Sequence, residues 1–119
     1  MPRRDAGLDA LLDLDGQIFV VDLVARHWVK FVARRVPVTA GKPHGLDYSL
    51  SLHDASGKRL VGYDNAHPVS SGRGRSVRSF DHRHRRRTVR PYAYRDAAAL
   101  LTDFWHDVDA VLQEKGIIP

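Results

Sequence analysis

Two histidines separated by one residue, His82 and His84, are the side chains of this sequence best suited to moving protons. On an extended strand, successive side chains alternate between the two faces, so both imidazoles would project from the same face. Asp64 and His67 lie one loop earlier, at the end of a predicted hairpin. We therefore expect Asp64, His67, His82 and His84 to converge at one edge of a sheet and to form a single site.

The first chemistry that this set of residues could perform is cleavage of RNA without a metal. One group would take the proton of a 2′-hydroxyl, a second would protonate the departing 5′-oxygen, and nearby cations would stabilise the charge of the phosphorane. We assign His82 and His84 as the catalytic acid–base pair, with His67 as the alternative partner.

The positive charge of the chain is concentrated around these histidines. Residues 69–91 carry eight arginines and one acid, a formal charge of +7, whereas the rest of the chain sums to −2. Such a local field attracts polyanions such as RNA, although a solvated loop would have the same composition. Two tyrosines nearby could stack bases, or they could simply pack on their strands. The predicted substrate-binding residues are Arg83, Arg85, Arg86, Arg87, Tyr63 and Tyr92.

Metal binding is the second chemistry that the histidines allow. Three histidines and a carboxylate, with two of the histidines in a His-x-His step, are a plausible ligand set for zinc or another divalent ion. The metal ligands would then be Asp64, His67, His82 and His84. A neighbourhood of +7 opposes a dication, so the sequence favours a site without a cofactor.

Length and composition indicate an ordinary globular domain. The chain has 119 residues, of which 43% are hydrophobic and 28% charged, and it contains no cysteine. These values suit a single core, and they exclude disulfides, thiolate metal sites and cysteine nucleophiles. No stretch reads as a signal peptide or is apolar enough to cross a bilayer. We expect a cytoplasmic protein that does not interact with membranes.

The elements that must position the site are predicted to be strands followed by one helix. Strands are predicted at residues 17–24, 27–38, 46–53 and 58–63, with short candidates at 80–84 and 92–94. The third of these alternates most cleanly between apolar and polar side chains, which predicts one buried and one solvated face.

A single strong helix is predicted at the end of the chain. Asp96 is suited to the N-cap, the apolar residues that follow recur at helical spacing, and Gly116 is suited to the position after the C-cap. The sequence thus predicts an α+β fold in one domain, residues 1–119: an antiparallel sheet of four to five strands with one long C-terminal helix packed on one face. Residues 1–14 would be a lead-in, and residues 68–79 a mobile loop rich in Ser, Gly and Arg.

Several motifs follow one another in a characteristic order. They are PHGLDYSLSLHD (43–54), GYDNAH (62–67), DHRH (81–84), an aromatic pair at Tyr92 and Tyr94, and LTDFW (101–105). In this order they resemble the TumE-type toxins of bacterial toxin–antitoxin modules, over roughly residues 14–116. The resemblance implies a toxin that is held in check by a small cognate antitoxin, and it implies no particular mechanism.

Together these observations predict a toxin that acts on RNA as a small metal-free endoribonuclease. Three alternatives stay open at this point. The chain could bind nucleic acid without cleaving it, its arginine-rich segment could be the docking site for the antitoxin, or its histidines could form a metal site.

Overall fold

The strands lie side by side in the order in which they follow one another along the chain. The computed structural model describes residues 5–65, 81–85 and 88–119, so the predicted loop at residues 68–79 lies outside the described residues. The strands are β1 (Ile18–Val20), β2 (Trp28–Arg35), β3 (Leu46–His53), β4 (Arg59–Asp64), β5 (His82–Arg85) and β6 (Thr88–Pro91). They form one antiparallel sheet in the order β1-β2-β3-β4-β5-β6.

The α+β class is confirmed, but the predicted number of strands is wrong. The described residues form six strands rather than four or five, and the last strand is β6 rather than residues 92–94. Strand β6 pairs with β5 as a hairpin, and all four of its residues are exposed. Because an exposed edge strand needs no apolar alternation, the pattern of hydrophobic residues does not reveal β6.

In the part of the chain that the structure describes, two helices accompany the sheet, α1 (Leu8–Asp13) and α2 (Ala97–Glu114). The predicted start of the long helix is confirmed, because the Asp96 carboxylate accepts a hydrogen bond of 2.7 Å from the backbone N–H of Ala99. Its predicted end is confirmed as well, since Gly116 adopts the left-handed conformation with φ of 72°. Part of the expected lead-in forms α1, whose Leu11 is fully buried in the common core.

The two faces of the sheet differ in what they contact and in which residues they carry. One face packs against α2, where the ring of Phe104 lies 5.6 Å from that of Phe31. The core on this side includes Val29, Phe31, Leu50, Leu52, Val61, Phe104 and Val108. The strand register places two rows of mostly polar residues on the opposite face, Val32-Ser49-Asp64-His82 and Lys30-Ser51-Gly62-His84. The face away from α2 is therefore the one that presents the histidines.

Each of the four tyrosines donates its hydroxyl hydrogen to an aspartate. Tyr48 pairs with Asp81, Tyr63 with Asp107 and Tyr92 with Asp103, each at 2.6 Å, and Tyr94 pairs with Asp5. Burial raises the pKa of every one of these phenols, and the hydrogen-bonded carboxylate raises the pKa further. In their neutral form, Tyr63 and Tyr92 thus bind to α2, and Tyr48 joins β3 to the residue before β5. Tyr94 joins the segment before α2 to the N-terminal segment.

We expect this protein to lose stability steeply at alkaline pH. A tyrosine of the unfolded chain ionises near pH 10, whereas the folded phenols keep their protons because their pKa values are raised. The stabilisation is complete below about pH 10. Above it, each tyrosine lowers the free energy of unfolding by about 1.4 kcal/mol per pH unit, because the unfolded state binds fewer protons.

Urea unfolding at a series of pH values between about 8 and 12 measures this slope. Tyr92→Phe should reduce this slope by the contribution of one tyrosine. The variant should keep the fold, because Asp103 retains its ion pair with Arg95 at 3.5 Å. A slope that is the same in the variant and in the parent would contradict the prediction.

Candidate functional site

Asp64 is the centre of the candidate site. Nε2 of His82 lies 2.9 Å from Asp64 Oδ1, and Nε2 of His84 lies 3.5 Å from Asp64 Oδ2. One potential ligand atom from each of these three residues lies within 4.8 Å of the other two. The structure therefore brings together three of the four residues that the sequence groups, while His67 lies outside the described residues.

The register between β4 and β5 explains why these groups meet. Asp64 is directly opposite His82, and Gly62 is directly opposite His84. Because side chains alternate along a strand, both histidines project from the face that carries Asp64. Their imidazole rings lie 4.7 Å apart, nearly perpendicular at 75°.

Burial distinguishes the two histidines. The side chains of Asp64 and His82 are 9% and 3% exposed, whereas that of His84 is 14% exposed. When Asp64 is ionised, each ring can donate its Nε2–H to the carboxylate. A shielded carboxylate holds such donors more strongly than one in water. Asp64 thus fixes the orientation of both rings, and His84 is the more accessible ring.

The sequence analysis missed one cation of this face, Arg59. Its Nη1 lies 4.0 Å from Asp64 Oδ2, and its side chain is 44% exposed. Strand β4 contains a bulge: Leu52 pairs with Val61 and His53 with Arg59, so Leu60 is an extra residue. A bulge of one residue reverses the alternation of side chains, which brings Arg59 to the face of Asp64. The residue pattern gives no sign of the bulge.

Gly62 leaves room for the Arg59 side chain along the strand. A Cβ at residue 62 would lie only 3.1 Å from Arg59 Cδ, tighter than an ordinary contact. The glycine of the GYDNAH motif therefore lets the arginine reach Asp64 across the strand.

The arginines that the sequence assigns to substrate binding lie elsewhere. Nη2 of Arg83 is 3.0 Å from Asp107 Oδ2, and Arg85 pairs with Glu114, so both reach α2 on the face opposite the histidines. Together with Lys58 and Arg90 they line a cleft of about 740 Å³. Arg86 and Arg87 lie outside the described side chains.

The two tyrosines proposed as stacking platforms are packed in the core. Tyr63 is 1% exposed and Tyr92 is 9% exposed, and their rings meet edge to face at 4.9 Å. Both hydroxyls are hydrogen-bonded to carboxylates of α2. The structure thus offers neither ring to a base, and we do not include them in the proposed site.

Asn65 of the GYDNAH motif has a structural role. Its amide Nδ2 donates to the Leu46 carbonyl at 2.7 Å, and its Oδ1 accepts from the Tyr48 backbone N–H at 3.0 Å. The side chain thereby continues the hydrogen bonding between β3 and β4 just beyond the last residue of β4. Fully buried, it holds the end of the strand that carries Asp64.

The described residues define a small α+β protein with a shielded carboxylate–imidazole centre on the face of a meander sheet that points away from α2. A family model described as Toxin TumE matches residues 11–112. The chain therefore belongs to the TumE toxin family, and the predicted resemblance is confirmed. Membership in a toxin family implies a cognate antitoxin as partner. No curated protein and no solved structure matches the chain. Across the described residues, no helix has both the length and the hydropathy needed to cross a membrane.

Proposed function

We propose that this toxin cleaves RNA at the centre formed by Asp64, His82 and His84. The observation that carries the proposal is the convergence of two imidazoles on one shielded carboxylate. Two imidazoles in one site supply both proton transfers that cleavage requires, and a fixed carboxylate orients them. The toxin family makes an attack on an essential cellular polymer a fitting activity.

Each residue has a defined role in the proposed reaction. His84, the more exposed ring, takes the proton of the 2′-hydroxyl, whose oxygen then attacks the adjacent phosphorus. His82 gives a proton to the departing 5′-oxygen, so the products carry a 2′,3′-cyclic phosphate and a 5′-hydroxyl. Asp64 positions both rings through their Nε2 atoms. A positioned acid or base contributes about 10²–10⁴-fold to the rate.

Arg59 takes the role that the sequence analysis gives to Arg83 and Arg85. It is the arginine that the structure records beside Asp64 among the described residues, and nearly half of its side chain is exposed. A guanidinium on the histidine face can contact two phosphate oxygens and stabilise the charge that develops on them.

A divalent metal site is the second candidate, and one observation favours it. One ring nitrogen of each histidine and the Asp64 carboxylate form a compact group of nitrogen and oxygen ligands of the type that holds zinc. The argument against a dication was the arginine field around the histidines. Arg83 and Arg85 instead lie on the opposite face, each paired with an acid of α2, and this weakens the objection. Arg59, which lies 4.0 Å from Asp64, is the described arginine that still opposes a dication.

One cleavage assay tests the proposal and separates the two candidates. The full-length toxin is incubated with a fluorescently labelled single-stranded RNA, with and without EDTA. Metal-free cleavage predicts cyclic-phosphate products and a rate that EDTA leaves unchanged. Loss of cleavage with EDTA and its recovery with Zn²⁺ would favour the metal site instead. The proposal would be overturned if the RNA stayed intact in both samples although expression of the same toxin still arrests cell growth.

A further inference from the structure

The segment from β1 to the turn that follows it exposes an unusual amount of apolar surface. Among the described residues, eight large hydrophobic side chains are exposed, and five of them lie between residues 18 and 24. Those five are Ile18, Phe19, Val20, Leu23 and Val24. We call this group the apolar corner. Leu23 and Val24 are 85% and 95% exposed, which is costly for a monomer in water.

The backbone of the apolar corner has a free edge in the described part of the chain. β1 is the first strand of the sheet and pairs only with β2. The Val21 N–H bonds to the His27 carbonyl and the Phe31 N–H to the Gln17 carbonyl, so the odd-numbered residues of β1 face β2. In an antiparallel pair the residues between them, Ile18 and Val20, then direct their N–H and C=O groups outward.

The turn that holds Leu23 and Val24 outward is fixed by hydrogen bonds. The Asp22 carboxylate accepts from Nδ1 of His27 at 2.9 Å and from the backbone N–H groups of Val24 and Ala25. The hydrogen bond from His27 lowers the pKa of Asp22. His27 is buried, and its Nε2 accepts from Lys115 at the end of α2. The exposure of the two apolar side chains is thus built into an ordered turn.

A small cleft beside the edge of the sheet indicates which side chains a partner of the apolar corner would present. It has a volume of about 330 Å³ and is lined by Val20, Leu23, Arg26, Trp28 and Ala55. Arg26 and Lys30 are exposed cations, and the described residues provide no carboxylate within 4.0 Å of either. A complementary partner presents apolar side chains to the cleft and carboxylates to the two cations.

We infer that the apolar corner is the surface that binds the cognate antitoxin, through an apolar segment of the antitoxin that carries acidic side chains. A second copy of this chain fits less well, because a two-fold contact would bring the cations of both copies together. RNA fits less well because the surface is apolar. The corner lies four strand spacings, about 19 Å, from β5, so binding here does not depend on the proposed catalytic function.

The test uses the full-length toxin, and the probe is the purified antitoxin, the protein encoded by the neighbouring gene. Calorimetry measures the affinity between the two proteins. The double variant Leu23→Asp/Val24→Asp should bind about 30-fold or more weakly, the effect of losing central apolar contacts. Val38→Asp is the matched control, because Val38 is 72% exposed but lies outside the corner. It should bind within about threefold of the parent.

Three results would overturn the inference. The double variant could bind the probe as tightly as the parent does. Arg85→Glu could abolish binding while the double variant does not, which would place the antitoxin on the arginine-rich segment. The parent could be a dimer that the double variant splits, which would assign the corner to a second copy. Unchanged thermal unfolding of the double variant shows that it folds, and its rate of RNA cleavage reports separately on the proposed function.

Discussion

His84→Ala should reduce the rate of RNA cleavage by about 10²–10⁴-fold, the contribution of one positioned acid or base. His84 is the accessible imidazole of the site and lies 3.5 Å from the carboxylate that orients it. Alanine removes the proton acceptor but leaves Asp64 in contact with His82. Single-turnover cleavage of a labelled RNA measures the effect. Growth arrest on expression without antitoxin should be lost in parallel.

The matched control is His106→Ala. His106 lies on α2, away from the histidine face, and its side chain is 83% exposed. The control should cleave RNA at the rate of the parent and should remain toxic. His82→Ala should resemble His84→Ala in activity but should also unfold more easily, because His82 is buried. If His84→Ala cleaved RNA as fast as His106→Ala does, the acid–base assignment would be wrong.

Much of the frame of this site follows from local sequence rules. Asp96 and Gly116 mark the ends of α2, and the alternation along β3 identifies its buried face. The period of two along β5 places His82 and His84 on one face. The convergence with Asp64 follows once β4 and β5 are neighbours, which is the commonest arrangement for successive strands.

The parts that the sequence does not reveal depend on packing between distant segments. Arg83 is neutralised by Asp107, 24 residues later in the chain, and this pairing depends on where α2 lies across the sheet. Arg59 faces Asp64 because of a bulge, and a bulge leaves no trace in hydrophobic periodicity. Charge density around the histidines therefore gives a poor indication of which arginines share their face.

We consequently expect Arg59→Ala to slow RNA cleavage with little loss of stability, and Arg83→Ala to lose stability with little change in RNA cleavage. Arg59→Ala should slow RNA cleavage by about 10²-fold, the scale of losing one group that stabilises developing charge. Because the Arg59 side chain is nearly half exposed and its guanidinium is 4.0 Å from Asp64, the variant should lose little stability. Arg83→Ala should cleave RNA within about threefold of the parent, since its partner is on the opposite face of the sheet.

Arg83→Ala should instead lower the free energy of unfolding by about 1–2 kcal/mol. It leaves the buried carboxylate of Asp107 with Tyr63 as its remaining neutral donor, while the partial exposure of Arg83 limits the loss. Single-turnover cleavage and urea unfolding of both variants, at the same salt concentration, measure the two effects. The opposite result, a slow but stable Arg83→Ala and a fully active Arg59→Ala, would place the RNA in the cleft beside α2. The histidine face would then not be the surface that binds the phosphate, because Arg83 and the two imidazoles project from opposite sides of the same strand.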